Sequence, residues 1–432
     1  MNYALIFILT NFFSYSLCLA QQPDKKELFE DAEYFFWSED YQEALYYYLK
    51  LINQDPDNAN FNFKTGVCYL NLPGKEPQGI PYFEKATQNL TEKKEYKRKS
   101  FTERRAPLHA LFYLGNAYRI NNELDKALET YDKFVSSPWY EGEYNITVVE
   151  NEIESTERAK IIKDSPTSIS QHNVGAPVNS ELAEFNPVLS ADGNTLVFMR
   201  SLKFYDAIFF TTFQNGAWIK PVNIGPMVGS DGDMYPTGLS ADGKSLLLIK
   251  KQNNNDDIYI SEYNGATWNK AIPVSDKINT RGNEIHASFS DDGLKIFYSS
   301  DRRRGEGGFD IWVSEKGATE WKKPKNLGET INTEFDETTP FTVNNGQTIY
   351  FSSKGHYNMG GFDIFYSNVE NKEWKTPVNI GYPINTTGDN QFFVPLEKGK
   401  KAWMSLKKNG GMGNEDIYSI DIHSKPTHLV DE

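Results

Sequence analysis

The chain has 432 residues, 14% aromatic and 24% charged, and at roughly 150 residues per domain it holds more than one folded unit. Its formal charge of −14, from 45 Lys and Arg against 59 Asp and Glu, argues against the basic face that nucleic acid requires. A mean hydropathy of −0.59 excludes a polytopic membrane protein, and two cysteines, Cys18 and Cys68, cannot build a disulfide framework or a thiolate zinc site.

Residues 4–20 are apolar and end in Cys18-Leu19-Ala20, the small-x-small pattern of a secretory cleavage site. The expectation is a signal peptide over 1–20, an exported mature chain beginning at Gln21 and, at most, peripheral membrane association. No Lys or Arg stands in Met1-Asn2-Tyr3, so a retained anchor helix is the alternative. A lipid anchor on Cys18 conflicts with Leu17, where such signals carry a small residue. Cys68 then reads as a small buried hydrophobe.

From Lys25 to about Trp139 the pattern is helical with a period near 34. Leu28, Ala32, Phe35, Ala44, Tyr48 and Leu51 mark a first unit; Gly66, Tyr69, Gly79, Phe83 and Ala86 a second; Leu111, Gly115, Tyr118, Ala127, Tyr131 and Phe134 a third. These resemble tetratricopeptide repeats, in which small residues let paired helices approach while aromatics fill the space between pairs. Between the second and third units, Thr91 to Pro107 carries seven Lys and Arg against three Glu. It reads as a solvated extension, or else as a docking strip for an acidic partner. Asn145 to Lys163 forms one further helix that caps the array and leads onward, which puts the helical domain at 21–165.

From Ser168 the period becomes 50 to 53 and the texture β. Turn glycines recur at Gly193, Gly243, Gly293, Gly346 and Gly399. Asp206, Asp257, Asp310, Asp363 and Asp416 open the third strand of each unit, tryptophans such as Trp218 and Trp268 follow, and an Asn-apolar-Gly-x-x-Ile/Val-Asn motif closes it. Four short strands per unit mean propeller blades. The closing motif appears once before the first blade, while the last unit stops at Asp416-Ile417-Tyr418, so these two pieces should pair and shut the ring. The predicted fold is α+β and multidomain: a tetratricopeptide helical solenoid, then a five-bladed β-propeller over 166–422, with six blades as the alternative and a tail over 423–432.

Ala287 to Gly328 best matches the TolB-type, WD-like propeller repeat, with Ser-x-Asp-Gly, Gly-Gly-x-Asp-Ile-Trp and Trp-x-x-Pro-x-x-Leu-Gly elements. Tetratricopeptide units followed by this propeller resemble a family of envelope proteins of gliding-type Gram-negative bacteria. Members often continue into an OmpA-like peptidoglycan-binding domain, and some serve type IX secretion. Only ten residues follow Ile422, so direct peptidoglycan binding is not expected. The resemblance implies other envelope proteins as partners.

No nucleophile elbow, zinc-protease motif, P-loop or dinucleotide fingerprint occurs, and the histidines never pair at metal-ligand spacing. No catalytic, cofactor or metal residue is expected. The repeated aspartates read as backbone acceptors at the entry to strand three, and the tryptophans as inter-blade packing. Residues that vary between blades mark a candidate partner-binding face: Arg302, Arg303, Arg304, Lys354, His356, Tyr357, Asp231, Asp233, Glu284 and His286, with Glu184 and Glu337 alongside. The reading is a non-enzymatic scaffold whose helical groove grips an extended partner segment. A propeller enzyme, or a binder of carbohydrate or peptide using Glu284, His286 and Arg302, is the alternative.

Overall fold

The computed structural model describes residues 24–432 except 253, 254, 409, 425 and 427–432. The expected signal segment, with Cys18, lies outside the described residues. The chain forms two compact units, one up to Ala110 and one from Leu111 onward.

In the first unit α1 (Lys25–Trp37), α2 (Tyr41–Gln54), α3 (Ala59–Leu70) and α4 (Ile80–Ala86) form antiparallel pairs. Asp24, Asp40 and Asn58 cap the first three, their side chains accepting otherwise orphaned backbone N–H groups. Ala32 and Ala44 are fully buried, and a Cβ on Gly66 would lie 2.7 Å from the Phe83 ring, so the small residues do set helix approach. Part of the basic stretch is tied to the helices, while Lys93, Lys94, Lys97 and Lys99 are exposed. Arg104 forks onto Asp55, Tyr96 donates to Asn60 of α3 and Arg98 lies over the Trp37 ring of α1. Beneath it Lys64, 3% exposed, pairs with Glu33 at 2.7 Å. Cys68 is buried, and burial pushes its thiol up to about 12, which keeps it protonated.

The second unit opens with α5 (Ala110–Ile120), α6 (Leu124–Val135) and α7 (Ile146–Asp164). A Cβ on Gly115 would sit 2.3 Å from the Tyr131 ring, the counterpart of Gly66 and Phe83. Five antiparallel sheets follow, and the expectation of five blades holds. The innermost strands are Glu184–Leu189, Met234–Leu239, Glu284–Phe289, Glu337–Val343 and Val394–Leu396. Ile169–Asn173 pairs antiparallel with Asp416–Ile422 as the outer strand of blade five, so the ring closes on the N-terminal strand. That leaves no place for a sixth blade.

The repeated Asn of the closing motif acts as a two-point clamp between neighbouring blades. Asn332 accepts from Ile311 N at 2.7 Å and donates to Ile311 O at 3.1 Å; Asn385 does the same to Ile364, Asn279 to Ile258 and Asn179 to Ile417. Only a short planar amide satisfies one residue's N–H and C=O together at that reach. Asp310 and Asp416 accept two loop N–H groups each and Asp363 that of Met359, as expected, whereas Asp206 accepts from the Ser201 hydroxyl and Asp257 from the Gln252 and Asn255 amides. Trp218 packs on Trp403 of blade five and Trp268 on Phe210 of blade one, which are inter-blade contacts.

Helix α7 lies against blade four. Its Asn151 donates to Lys354 O at 3.0 Å, Arg158 to Asn358 at 3.2 Å, and Ala159 and Ile162 pack with Met359. From α5, Arg119 enters the crossover between blades four and five, donating to Thr387 O and pairing with Glu152 of α7 at 3.0 Å. Beyond ending the helical array, α7 covers a propeller loop.

Candidate functional site

The loops joining strands two to three and the crossovers between blades share one face of the ring, which bears the residues singled out from the sequence. The structure separates them. Glu184, Glu284 and Glu337, the first residues of their innermost strands, are completely buried, which corrects their placement on an exposed face. Each accepts the N–H and hydroxyl of a Ser or Thr four residues earlier, as Glu337 does from Thr333 at 2.7 and 2.8 Å. Their other partners differ. Arg200 meets Glu184 at 2.7 Å and Arg302 meets Glu284 at 3.0 Å, but Glu337 has only the hydroxyl of Ser353 at 2.6 Å. Without a cation, burial pushes the Glu337 carboxyl up to about 7.

Arg302 is therefore an internal group, its guanidinium 5.1 Å from the ring centres of both Tyr298 and Trp312. Arg303 and Arg304 are exposed. In blade four the placement of His356 is corrected as well, while Lys354 and Tyr357 are half-buried. His356 is 7% exposed, wedged between Phe351 and Phe365 with Nε2 at 2.9 Å from Ile331 O. Tyr357 lies under Arg158 of α7, and Lys354 pairs with Asp336 at 3.3 Å. Blade four is the seat of the helix. These corrections share a cause: hydrophilic residue types in loops look exposed until the element that covers them is known.

What remains open lies over blades one to three around the mouth of the central channel. The innermost strands bulge here, placing Asn186, His286, Thr339 and Phe392 at positive φ of 48°, 49°, 47° and 55° in equivalent positions. Such strained backbone often accompanies functional sites. Asn186, His286 and Phe392 line a cavity of about 260 Å³ with Tyr235, Asp233 and Lys251. The His286 ring stands edge-on to Phe392 at 5.0 Å, and its Nδ1 is buried without a hydrogen-bond partner. Burial and then the charge of Lys251 lower its pKa to about 3, so the imidazole is neutral near pH 7. Asp233 pairs with Lys250 at 3.3 Å, while Asp231 lines a smaller neighbouring recess beside Tyr205.

Glu284, His286 and Arg302 do not form a cluster, because Glu284 and Arg302 satisfy each other inside the blade. Among the described residues no group of three His, Cys, Asp or Glu could hold a metal ion. Tyr235, Lys251 and Phe392 went unmarked in the sequence. Their signal is register, since Tyr235 and Phe392 stand within two residues of the strand-one position that holds Glu in other blades.

A tetratricopeptide repeat family model matches residues 109–137, the α5–α6 pair. No curated protein matches the sequence. Among solved structures the chain is similar to a putative TolB from Agrobacterium tumefaciens at 15% identity, covering 55% of this chain and 73% of that one with a TM-score of 0.33. TolB from Acinetobacter baumannii matches at 13%, over 60% of this chain and 64% of that one, with a TM-score of 0.36. The catalytic domain of a GH62 α-L-arabinofuranosidase from Coprinopsis cinerea matches at 9%, over 60% and 98%, with a TM-score of 0.37. Likenesses this distant add nothing to what the sheet topology shows.

Proposed function

We propose that this chain is an exported, non-enzymatic scaffold of the cell envelope that binds other envelope proteins, as an accessory to secretion or envelope assembly. The observation that supports it most is the buried attachment of α5 and α7 to blade four through Arg119 and Glu152. A helix pair locked to a propeller loop presents its surface and the open face of the ring in one fixed geometry, which suits recognition and needs no moving part. The apolar segment at 4–20 supports export, and the acidic balance disfavours nucleic acid. In vivo crosslinking, followed by identification of the attached proteins, tests the reading. Recovery of envelope proteins supports it, and recovery of none, or of cytoplasmic proteins alone, overturns it.

A second reading is favoured by one feature, the neutral His286 beside Tyr235 and Phe392 in the channel mouth. That lining suits a carbohydrate or peptide group, and the chain would then be a ligand-binding or hydrolytic propeller. Turnover or binding in a screen of glycans and peptides, abolished by His286→Ala, would favour it over the scaffold.

A further inference from the structure

The opposite mouth of the channel, where the strand one to two turns emerge, holds a larger cavity of about 540 Å³. Five equivalent positions on the innermost strands form its inner wall: Val188, Gly238, Ser288, Phe341 and Val394. Leu239, Phe289 and Leu396 extend the apolar surface outward. Ser288 is the polar member of that ring; it is 3% exposed and its hydroxyl finds no hydrogen-bond partner. A buried hydroxyl left unpaired in an apolar wall carries a desolvation cost that a ligand atom would relieve.

The rim breaks the five-fold pattern. In blades one to three the turn is held by Ser190, Ser240 and Ser290, each donating to an Asp two residues on at 2.6 Å, with only the glycine at positive φ. Blades four and five replace it with Asn344-Asn345-Gly346 and Glu397-Lys398-Gly399, all six at positive φ. Two adjacent blades thus hold strained backbone at one edge of the cavity. The charges there are unequally engaged. Glu397 pairs with Lys401 at 2.8 Å and Asp291 accepts the Asn345 N–H at 2.9 Å, while Lys398 is exposed and forms no ion pair among the described residues. Asp291 keeps its negative charge, so the rim is mixed in sign and Lys398 is its cation without an acidic partner among the described residues.

We propose that this mouth is a binding site for a small amphipathic anion, an apolar body seated in the channel with an acidic head at Lys398. The volume falls within the roughly 300–1,000 Å³ of small-molecule sites, and the lining has their composition, apolar walls with a few placed polar groups. A fatty acid and an aromatic acid share this chemistry. The site is on the far side of the ring from the partner face, so it stands or falls separately from the scaffold reading.

The test is fluorescence titration of the full chain with anilinonaphthalene sulfonate, with decanoate and decylamine as competitors. The expected result is one saturable site from which decanoate displaces the probe and decylamine does not. Ala241→Trp, at the mouth, should weaken probe binding by roughly tenfold or more, and Lys398→Glu should remove the preference for decanoate. Displacement by benzoate but not decanoate would assign an aromatic acid. Absence of binding, undiminished binding by Ala241→Trp, an unchanged preference for decanoate in Lys398→Glu, or equal competition by the amine overturns the proposal.

Discussion

Arg119 of α5 and Glu152 of α7 form an ion pair of 3.0 Å in which the arginine side chain is 4% exposed. The same guanidinium donates to Thr387 O in the crossover between blades four and five, so one side chain joins two helices and a propeller loop. Arg119→Ala leaves the Glu152 carboxylate and the Thr387 carbonyl without their partner. The expected loss is about 3–5 kcal/mol in urea unfolding, while an Arg119→Met, Glu152→Leu double variant loses less because no charge is stranded. Equal losses in the two would show that packing, and not the charge, holds the helices.

Glu337 makes stability depend on pH in a direction unusual for a carboxylate. Its folded value of about 7 lies above the ordinary 4.5, so the folded state holds a proton that the unfolded chain has lost. Stability from this group is therefore present at low pH and lost as pH rises from about 4.5 to 7. Asp363, also raised to about 7 by burial, acts in the same sense, whereas His109 and His286, lowered to about 4 and about 3, favour the fold above their ordinary range. Comparison with Glu337→Gln cancels these others. The variant should gain on the wild type by an amount on the order of 3 kcal/mol between pH 5 and 8 in paired denaturation curves. A constant difference across that range would rule out titration of Glu337.

The arginine run divides by burial. Arg302→Ser strands the buried Glu284 and should cost about 3 kcal/mol. Arg303→Ser with Arg304→Ser changes only exposed side chains, so stability should stay within about 0.5 kcal/mol. Recovery of crosslinked partners should fall in the double variant if this edge of the ring docks an acidic surface. Unchanged recovery would move the docking site elsewhere.

Closure rests on the five pairs between Ile169–Asn173 and Asp416–Ile422. Deleting residues 166–176 exposes the edge of blade five and removes the outer strand that completes it. Aggregation or loss of cooperative thermal unfolding is expected by light scattering and calorimetry. An unchanged melting transition would mean the strand adds nothing to the ring.

The sequence by itself determined the repeat periods, the five blades and the pairing that shuts the ring. These are local or repeated signals: a glycine at each strand one to two turn, an Asp before strand three, and an Asn that clamps the residue after that Asp. Each is written many times, so period and register reinforce one another. The tertiary structure alone decided which loops stay open. That Glu284 meets Arg302 inside a blade, that the 91–107 stretch lies on α1 and α3, and that α7 covers Tyr357 and Met359 are contacts between segments written once. Nothing in the spacing of a polar loop says which helix will lie on it. The channel cavities were hidden for a related reason: their walls come from five strands about fifty residues apart, and only closure brings Ser288, Lys398 and their neighbours around one space.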